Sequence, residues 1–191
     1  FYLRIEDTDD KREVPGAVST IINAMTYFGV NFDEGATAEG DNGEYGPYRQ
    51  RQRKNIYQTF AKWLVRQGKA YPCFLSEEEV SAIREEKNEK KEDIVIYGRY
   101  AEKNRKLTLS EIKEKIEKGH KWVLRYKGCL NSDYITVDDA IRGRLEMPRN
   151  FHDFIILKSD GIPTYHFAHV VDDHLMRSTH VIRGEEWIPS L

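Results

Sequence analysis

The sequence predicts an α/β domain interrupted by an α+β insertion, and three observations carry that prediction. A strand, a helix, a long loop and a second helix succeed one another before Tyr71-Pro72-Cys73-Phe74. After that segment the texture changes to charged helices and alternating stretches. At the Asp160-Gly161 turn the first texture returns. The expected divisions are residues 1–74, an insertion over 75–160, and a resumed domain over 161–191.

Residues 1–6 read as a buried strand that breaks into a knot of carboxylates, Glu6, Asp7 and Asp9. A strand running from Phe1 with no initiator Met suggests a piece of something longer, and the last element looks unfinished at Leu191. Pro15, which suits a first helical turn, and Gly29, a stop, frame a helix that ends at Phe28. Its apolar stripe is Val18, Ile21, Ile22, Met25 and Phe28. A Gly- and Asp-rich loop from Asp33 ends in Tyr45-Gly46-Pro47-Tyr48-Arg49-Gln50. A second amphipathic helix then spans about Gln52 to Gln67, with Ile56, Tyr57, Phe60, Trp63 and Leu64 facing inward.

Ser76-Glu77-Glu78-Glu79 is a capping box that opens a charged helix. A short helix follows between Ser110 and Gly119, with Ile112 and Ile116 as its apolar stripe. Alternation then predicts strands over Lys121–Lys127, Tyr134–Asp138, Ile141–Met147 and Asp153–Ser159, in a mainly antiparallel sheet. Thr164–Leu175 is a helix, because Phe167, Val170, Val171 and Leu175 recur at three- and four-residue spacing. Thr179-His180-Val181-Ile182 reads as a short strand, and Gly184-Glu185-Glu186-Trp187 turns out of it into a helix start.

Composition narrows the function class. With 32% charged residues and a mean hydropathy of -0.69, the chain has a well-hydrated surface. No apolar run approaches the ~20 residues a membrane span requires. The two cysteines, Cys73 and Cys129, form no Cys-x-x-Cys pair, so the expectation is a reduced, cytoplasmic protein without a disulfide framework or a four-cysteine zinc site. Charge is segregated: residues 84–127 hold fourteen Lys and Arg against nine Asp and Glu, although the whole chain is at -2. A basic middle suits a polyanionic partner or a solvated, ion-paired helix surface.

Three groups could carry chemistry. Glu6, Asp7 and Asp9 could bind an amine or a metal, or cap the next segment, and Asp7 suits the structural role. Tyr165 and His169, four residues apart, share a helix face and can converge on one ligand. The same helix offers His166, His169, Asp173 and His174 as a possible metal-ligand set for a hydrolase. Arg183-Gly184-Glu185-Glu186-Trp187 lies where a strand is expected to end, and ligands of open α/β sheets bind there. An arginine at that point could clamp a carboxylate, or pair structurally with Glu185 or Asp172. Glu6 and Arg183 together could hold the two charges of an amino acid.

Four segments carry a resemblance to the glutamyl-tRNA synthetase family of class I aminoacyl-tRNA synthetases. They are Leu3-Arg4-Ile5-Glu6-Asp7-Thr8-Asp9, Gly46-Pro47-Tyr48-Arg49-Gln50, the run from Asp160 to Ala168, and the run from Val170 through Arg183-Gly184-Glu185-Glu186-Trp187. The glutaminyl relatives usually read Phe-Asp-Asp-Thr-Asn where this chain has Ile5-Glu6-Asp7-Thr8-Asp9. The resemblance implies a partial Rossmann-type nucleotide-binding domain, with a connective insertion that grips the acceptor end of tRNA. It implies ATP-dependent activation of L-glutamate, assisted by Mg2+, and its ligation to the 3′ end of tRNA(Glu). A relative that glutamylates a tRNA base is the nearest alternative.

By the same resemblance, Glu6 holds the substrate ammonium, and Tyr165, His169, Arg183 and Trp187 line the glutamate pocket. Glu186 lies by ATP, and Asp9 and Arg12 lie near the tRNA 3′ end. The family often has Asn at the position of His169, and some members hold zinc with cysteines that this insertion lacks, so no zinc is expected. Tyr97-Gly98-Arg99 looks like the remnant of that region. The family's two ATP-phosphate signature motifs would fall before Phe1 and after Leu191. The expectation is therefore no catalytic signature residue within these 191 residues and no tRNA charging by them alone; a monomer is expected as well.

Overall fold

The computed structural model describes residues 1–9, 14–90, 99–128, 134–148, 152–182 and 184–190. They form two compact units, one of Phe1–Phe60 with Asp160–Thr179, the other of Ala61–Ser159 with His180–Leu191.

In the first unit, β1 (Tyr2–Leu3) pairs in parallel with β2 (Glu34–Ala36), which pairs antiparallel with β3 (Asp41–Asn42). Gly35 sits where these backbones close up: its φ is +148°, and a Cβ there would meet the Leu3 carbonyl oxygen at 2.5 Å. Between β1 and β2 runs α1 (Ala17–Tyr27), the helix read from Pro15 and Gly29. None of its residues is buried, and Ile21 and Phe28 of its apolar stripe are exposed.

The Gly46–Pro47 peptide is cis. Beyond it, Tyr48 packs with Ala36 and Met176 in a core flanked by Tyr2, Ile5 and Tyr45. A 3₁₀ turn over Gln50–Arg53 leads into α2 (Lys54–Arg66). Arg53, Tyr57 and Ala61 form its buried line at four-residue spacing. Trp63, expected to face inward, is 51% exposed. At about 100° per residue it lies some 120° around the helix from Tyr57, outside the covered stripe.

The resumed segment turns at Gly161, where φ is +76° and a Cβ would meet Gln58 Nε2 at 2.7 Å. It then forms α6 (Tyr165–Leu175) with Thr164 as its N-cap residue. Phe167, Ala168, His169, Val171 and Asp172 are buried. Val170, counted in the apolar stripe, is 70% exposed because it shares the polar side of the helix.

In the second unit, β4 (Ala70–Cys73), β5 (Val123–Tyr126) and β8 (Ile155–Leu157) form an antiparallel sheet in the order β4-β5-β8. β6 (Tyr134–Asp139) and β7 (Gly143–Pro148) form a separate antiparallel hairpin. Helices α3 (Glu77–Glu89), α4 (Arg99–Arg105) and α5 (Leu109–Glu117) lie between β4 and β5 in sequence. The Ser76–Glu79 capping box forms as read from sequence. The short helix starts earlier than expected, because Thr108 and Glu111 make a second capping box and displace Ser110 from the start position.

Asp153, 1% exposed, organises this unit. It accepts from Tyr71 Oη at 2.6 Å, Arg105 Nε at 2.8 Å and the Gly128 amide at 2.8 Å, while its carbonyl takes Arg125 at 2.6 Å. Burial, then Asp153, raises the Tyr71 phenol pKa far above its ordinary value.

The strand expected at Thr179–Ile182 is absent. Val181 and Ile182 are 52% and 93% exposed and pair with no strand. Apolar β-branched content supplies propensity, but an extended segment without a paired neighbour is not a strand. Among the described residues, no helix is long and apolar enough to cross a membrane.

Candidate functional site

The chain beyond β1 stays extended. Ile5 bridges Arg49 in parallel, with its amide donating to the Tyr48 carbonyl at 2.8 Å and its carbonyl accepting from the Gln50 amide at 3.0 Å. Alternation along this segment puts Arg4 and Glu6 on one side. On α6, Tyr165, His169 and Asp173 recur at four-residue spacing and share one face. The two sets meet. Arg4 Nη2 lies 2.6 Å from His169 Nδ1, and His169 Nε2 contacts the Glu6 carboxylate. The Tyr165 ring covers His169 at a centroid distance of 4.3 Å. Glu6, at 38% side-chain exposure, remains reachable from solvent, whereas His169 is 11% exposed.

Beneath this surface lies a buried charge network. Asp172, 0% exposed, accepts from Arg53 Nε at 2.7 Å, Tyr57 Oη at 2.8 Å and Gln50 Nε2 at 3.1 Å. Arg4 donates through Nη1 to Asp173 at 2.8 Å, and its Nε lies 3.7 Å from Asp172. Burial opposes the charge on Arg4. The bond to Asp173 and the fields of Asp173, Asp172 and Tyr2 outweigh it and raise its pKa. Burial first, then the Asp172 charge, lifts the Tyr57 phenol far above its ordinary range. Two arginines against two aspartates make the interior close to neutral, which is what burial requires.

The expected site residues distribute unevenly. Glu6, Tyr165 and His169 come together in the first unit. Asp9 is exposed in that unit. Asp7 takes a structural role, its carboxylate accepting from the Arg51 amide at 2.8 Å. Glu186 and Trp187 lie on a 3₁₀ turn, Glu185–Ser190, in the second unit, with the Glu186 carboxylate folded against Gly184 and Trp187 at 42% exposure. Arg12, Arg183 and Cys129, with Tyr97-Gly98, lie outside the described residues. Asp172 pairs with Arg53 and Arg4, and Glu185 with Arg142 at 2.7 Å.

The metal-ligand reading of α6 is corrected. His169 is engaged by Arg4 and Glu6, Asp173 by Arg4, and His174 stands edge-on to Phe60 at 6.4 Å. His166 is exposed, a five-residue step carries His174 off the His169 face, and no group of three or more His, Cys, Asp or Glu among the described residues could hold a metal ion. Sequence reasoning assigned no charge-network role to Arg4, Gln50, Arg53 or Tyr57, although it reads Tyr57 as facing inward. The available signal was Arg4 itself, a charge inside a strand read as buried, which demands a carboxylate partner.

The whole chain, residues 1–191, matches the family described as tRNA synthetases class I (E and Q), catalytic domain. The chain belongs to that family. Among its relatives, the glutamate–tRNA ligase of Acetivibrio thermocellus is 55% identical over 192 residues, and that of Clostridium perfringens 50% over 193. Each match covers all of this chain and 35% of the relative, so the chain spans about a third of the length of these curated relatives. A crystal structure of a glutamate tRNA ligase from Elizabethkingia meningosepticum, in complex with its amino acid, superposes with a TM-score of 0.89 at 38% identity. It too is matched over all of this chain and 38% of its own. The synthetase family's mixed α/β, Rossmann-type architecture is the frame in which the Glu6–His169–Tyr165 cluster sits.

Proposed function

We propose that the protein activates L-glutamate with ATP and transfers the glutamyl group to the 3′ end of tRNA(Glu), as a cytoplasmic, monomeric glutamate–tRNA ligase. The observation that carries this reading is the reachable Glu6 carboxylate, set by His169 beside the Tyr165 ring, in a chain of the class I family. Glu6 takes the substrate ammonium. Tyr165 and His169 serve glutamate binding, as do Trp187 and Arg183, the latter taking a substrate carboxylate. Glu186 serves ATP, and Asp9 and Arg12 serve the tRNA end. Residues 75–160 act as the connective insertion that grips the acceptor stem, drawing on their excess of Lys and Arg.

Such a site needs little acid–base chemistry from the protein. Activation is an attack by the glutamate α-carboxylate on the α-phosphorus of ATP with loss of pyrophosphate, and the protein's part is positioning and charge stabilisation. Mg2+ travels on the ATP phosphates, the usual mode for this ion.

The test is glutamate-dependent ATP–pyrophosphate exchange by the complete protein and its Glu6→Gln variant. Losing a charge-assisted contact worth about 1.5–3 kcal/mol raises the KM for glutamate roughly 10- to 100-fold, leaving the KM for ATP near wild type. Absence of exchange in the wild type, or an unchanged glutamate KM in the variant, sinks the proposal.

A further inference from the structure

We infer that Arg4 is a positioning residue of the glutamate pocket: it holds His169 as the neutral imidazole protonated on Nε2, and through that tautomer sets the Glu6 carboxylate. The ligand's identity rests on the glutamate-ligase reading above, whereas the tautomer rests on geometry alone.

The guanidinium of Arg4 is pinned before it meets His169. Nη1 donates to Asp173 Oδ1 at 2.8 Å and approaches Met176 Sδ at 3.9 Å, and Nε lies 3.7 Å from Asp172. With those corners taken, the rigid planar fork presents Nη2 to His169 Nδ1 at 2.6 Å. A guanidinium carries donors only. Nδ1 must therefore be the acceptor, and the single ring proton sits on Nε2, where it donates to Glu6. An imidazolium would bring a second N–H against Nη2, which has no lone pair to accept it. Among the charged and titratable groups facing the ring are Arg4 and Glu6, from the extended segment after β1, and Tyr165 from its own helix. Asp173, Asp172 and Tyr2 act on it through Arg4.

The functional consequence follows from charge. A protonated His169 would form an ion pair with Glu6 and compete with the substrate ammonium for the same carboxylate. A neutral His169 aligns that carboxylate with one hydrogen bond and leaves its negative charge to the substrate.

The experiment uses the complete protein with Arg4→Met and Arg4→Lys, each alone and combined with His169→Asn. Lys retains a cation for Asp173, but one ammonium cannot reach Asp173 and Nδ1 together, so this variant tests the same point with the fold better preserved. Side-chain 15N spectra should show the wild-type His169 as the Nε2–H tautomer, and both Arg4 variants should lose that signature. In ATP–pyrophosphate exchange the glutamate KM of the variants should rise about tenfold, with a smaller change in kcat. In the His169→Asn background the Arg4 substitutions should lose most of their KM effect.

An unchanged tautomer in both Arg4 variants overturns the inference. So does an equal KM penalty with His or Asn at 169, the result expected if Arg4 only supports the fold. If the wild type shows no glutamate-dependent exchange, the glutamate-ligase reading fails separately. The 15N spectra then decide whether Arg4 controls His169.

Discussion

Replacing Asp172 by Asn keeps the volume of a fully buried side chain while deleting its charge, and so isolates what that charge does. In the wild type, Asp172 Oδ1 takes Arg53 at 2.7 Å, and Oδ2 takes Tyr57 at 2.8 Å and Gln50 at 3.1 Å. Asn can keep its oxygen toward Arg53 and turn its NH2 toward the other two. Tyr57 can rotate its hydroxyl to accept, and Gln50 has a buried Oε1 with no hydrogen-bond partner to offer after an amide flip. The neutral hydrogen bonds are therefore largely recoverable. The electrostatics are not, because Arg53 and Arg4 both lose the Asp172 charge and only Arg4 keeps a pair with Asp173. Breaking a buried pair from one side costs about 3–5 kcal/mol. Tyr57→Phe removes a single charge-assisted bond and should cost about 1.5–3 kcal/mol. Hydrogen exchange of the α6 amides reads the local opening free energy, and ~3 kcal/mol corresponds to roughly a hundredfold faster exchange. If Asp172→Asn exchanges within about twofold of the wild type, or no faster than Tyr57→Phe, the argument that charge rather than bond count holds α6 is wrong.

Two further outcomes follow. In the second unit, Asp153→Asn should destabilise by about 2–4 kcal/mol, since it leaves Arg105 and the Tyr71 hydroxyl without their buried carboxylate. A melting midpoint within a degree of the wild type would count against Asp153 as the organiser of that unit. In alkali, burial and the bond to Glu34 push the Tyr48 phenol up to about 12 from an ordinary 10.0. The folded state thus favours the neutral phenol, so this stabilisation is complete below pH 10 and is lost as pH rises through 12. Tyr57 and Tyr71 shift in the same direction. Stability measured across pH 9–12 should fall less steeply in Tyr48→Phe, and parallel curves would refute the assignment.

Much of this was legible in the chain because the rules involved are local. Helix α6 follows from three- and four-residue spacing, the Ser76 capping box from a hydroxyl residue placed three before a Glu, and the β6–β7 hairpin from alternating stretches. Tyr165 and His169 were readable as one pair for the same reason, being four residues apart on one helix. Local rules also failed in recognisable ways. Trp63 and Val170 look like core residues by type, but the helix faces that carry them are uncovered. Val181 and Ile182 have the composition of a strand but no strand beside them.

The sequence by itself determined the class of fold, most element positions and the family to which the chain belongs, since periodicity, capping and motif order all act over a few residues. Only the tertiary structure decided which charges meet. Arg4 reaches His169 and Asp173 across more than 160 residues of chain, and Asp172 gathers Gln50 and Arg53 from the 3₁₀ turn and Tyr57 from α2. Those contacts turn a candidate metal ligand into an imidazole with an assigned proton. The physical reason is that a buried charge demands a partner without specifying which one, and only the folded backbone brings a particular carboxylate or ring nitrogen within 3 Å.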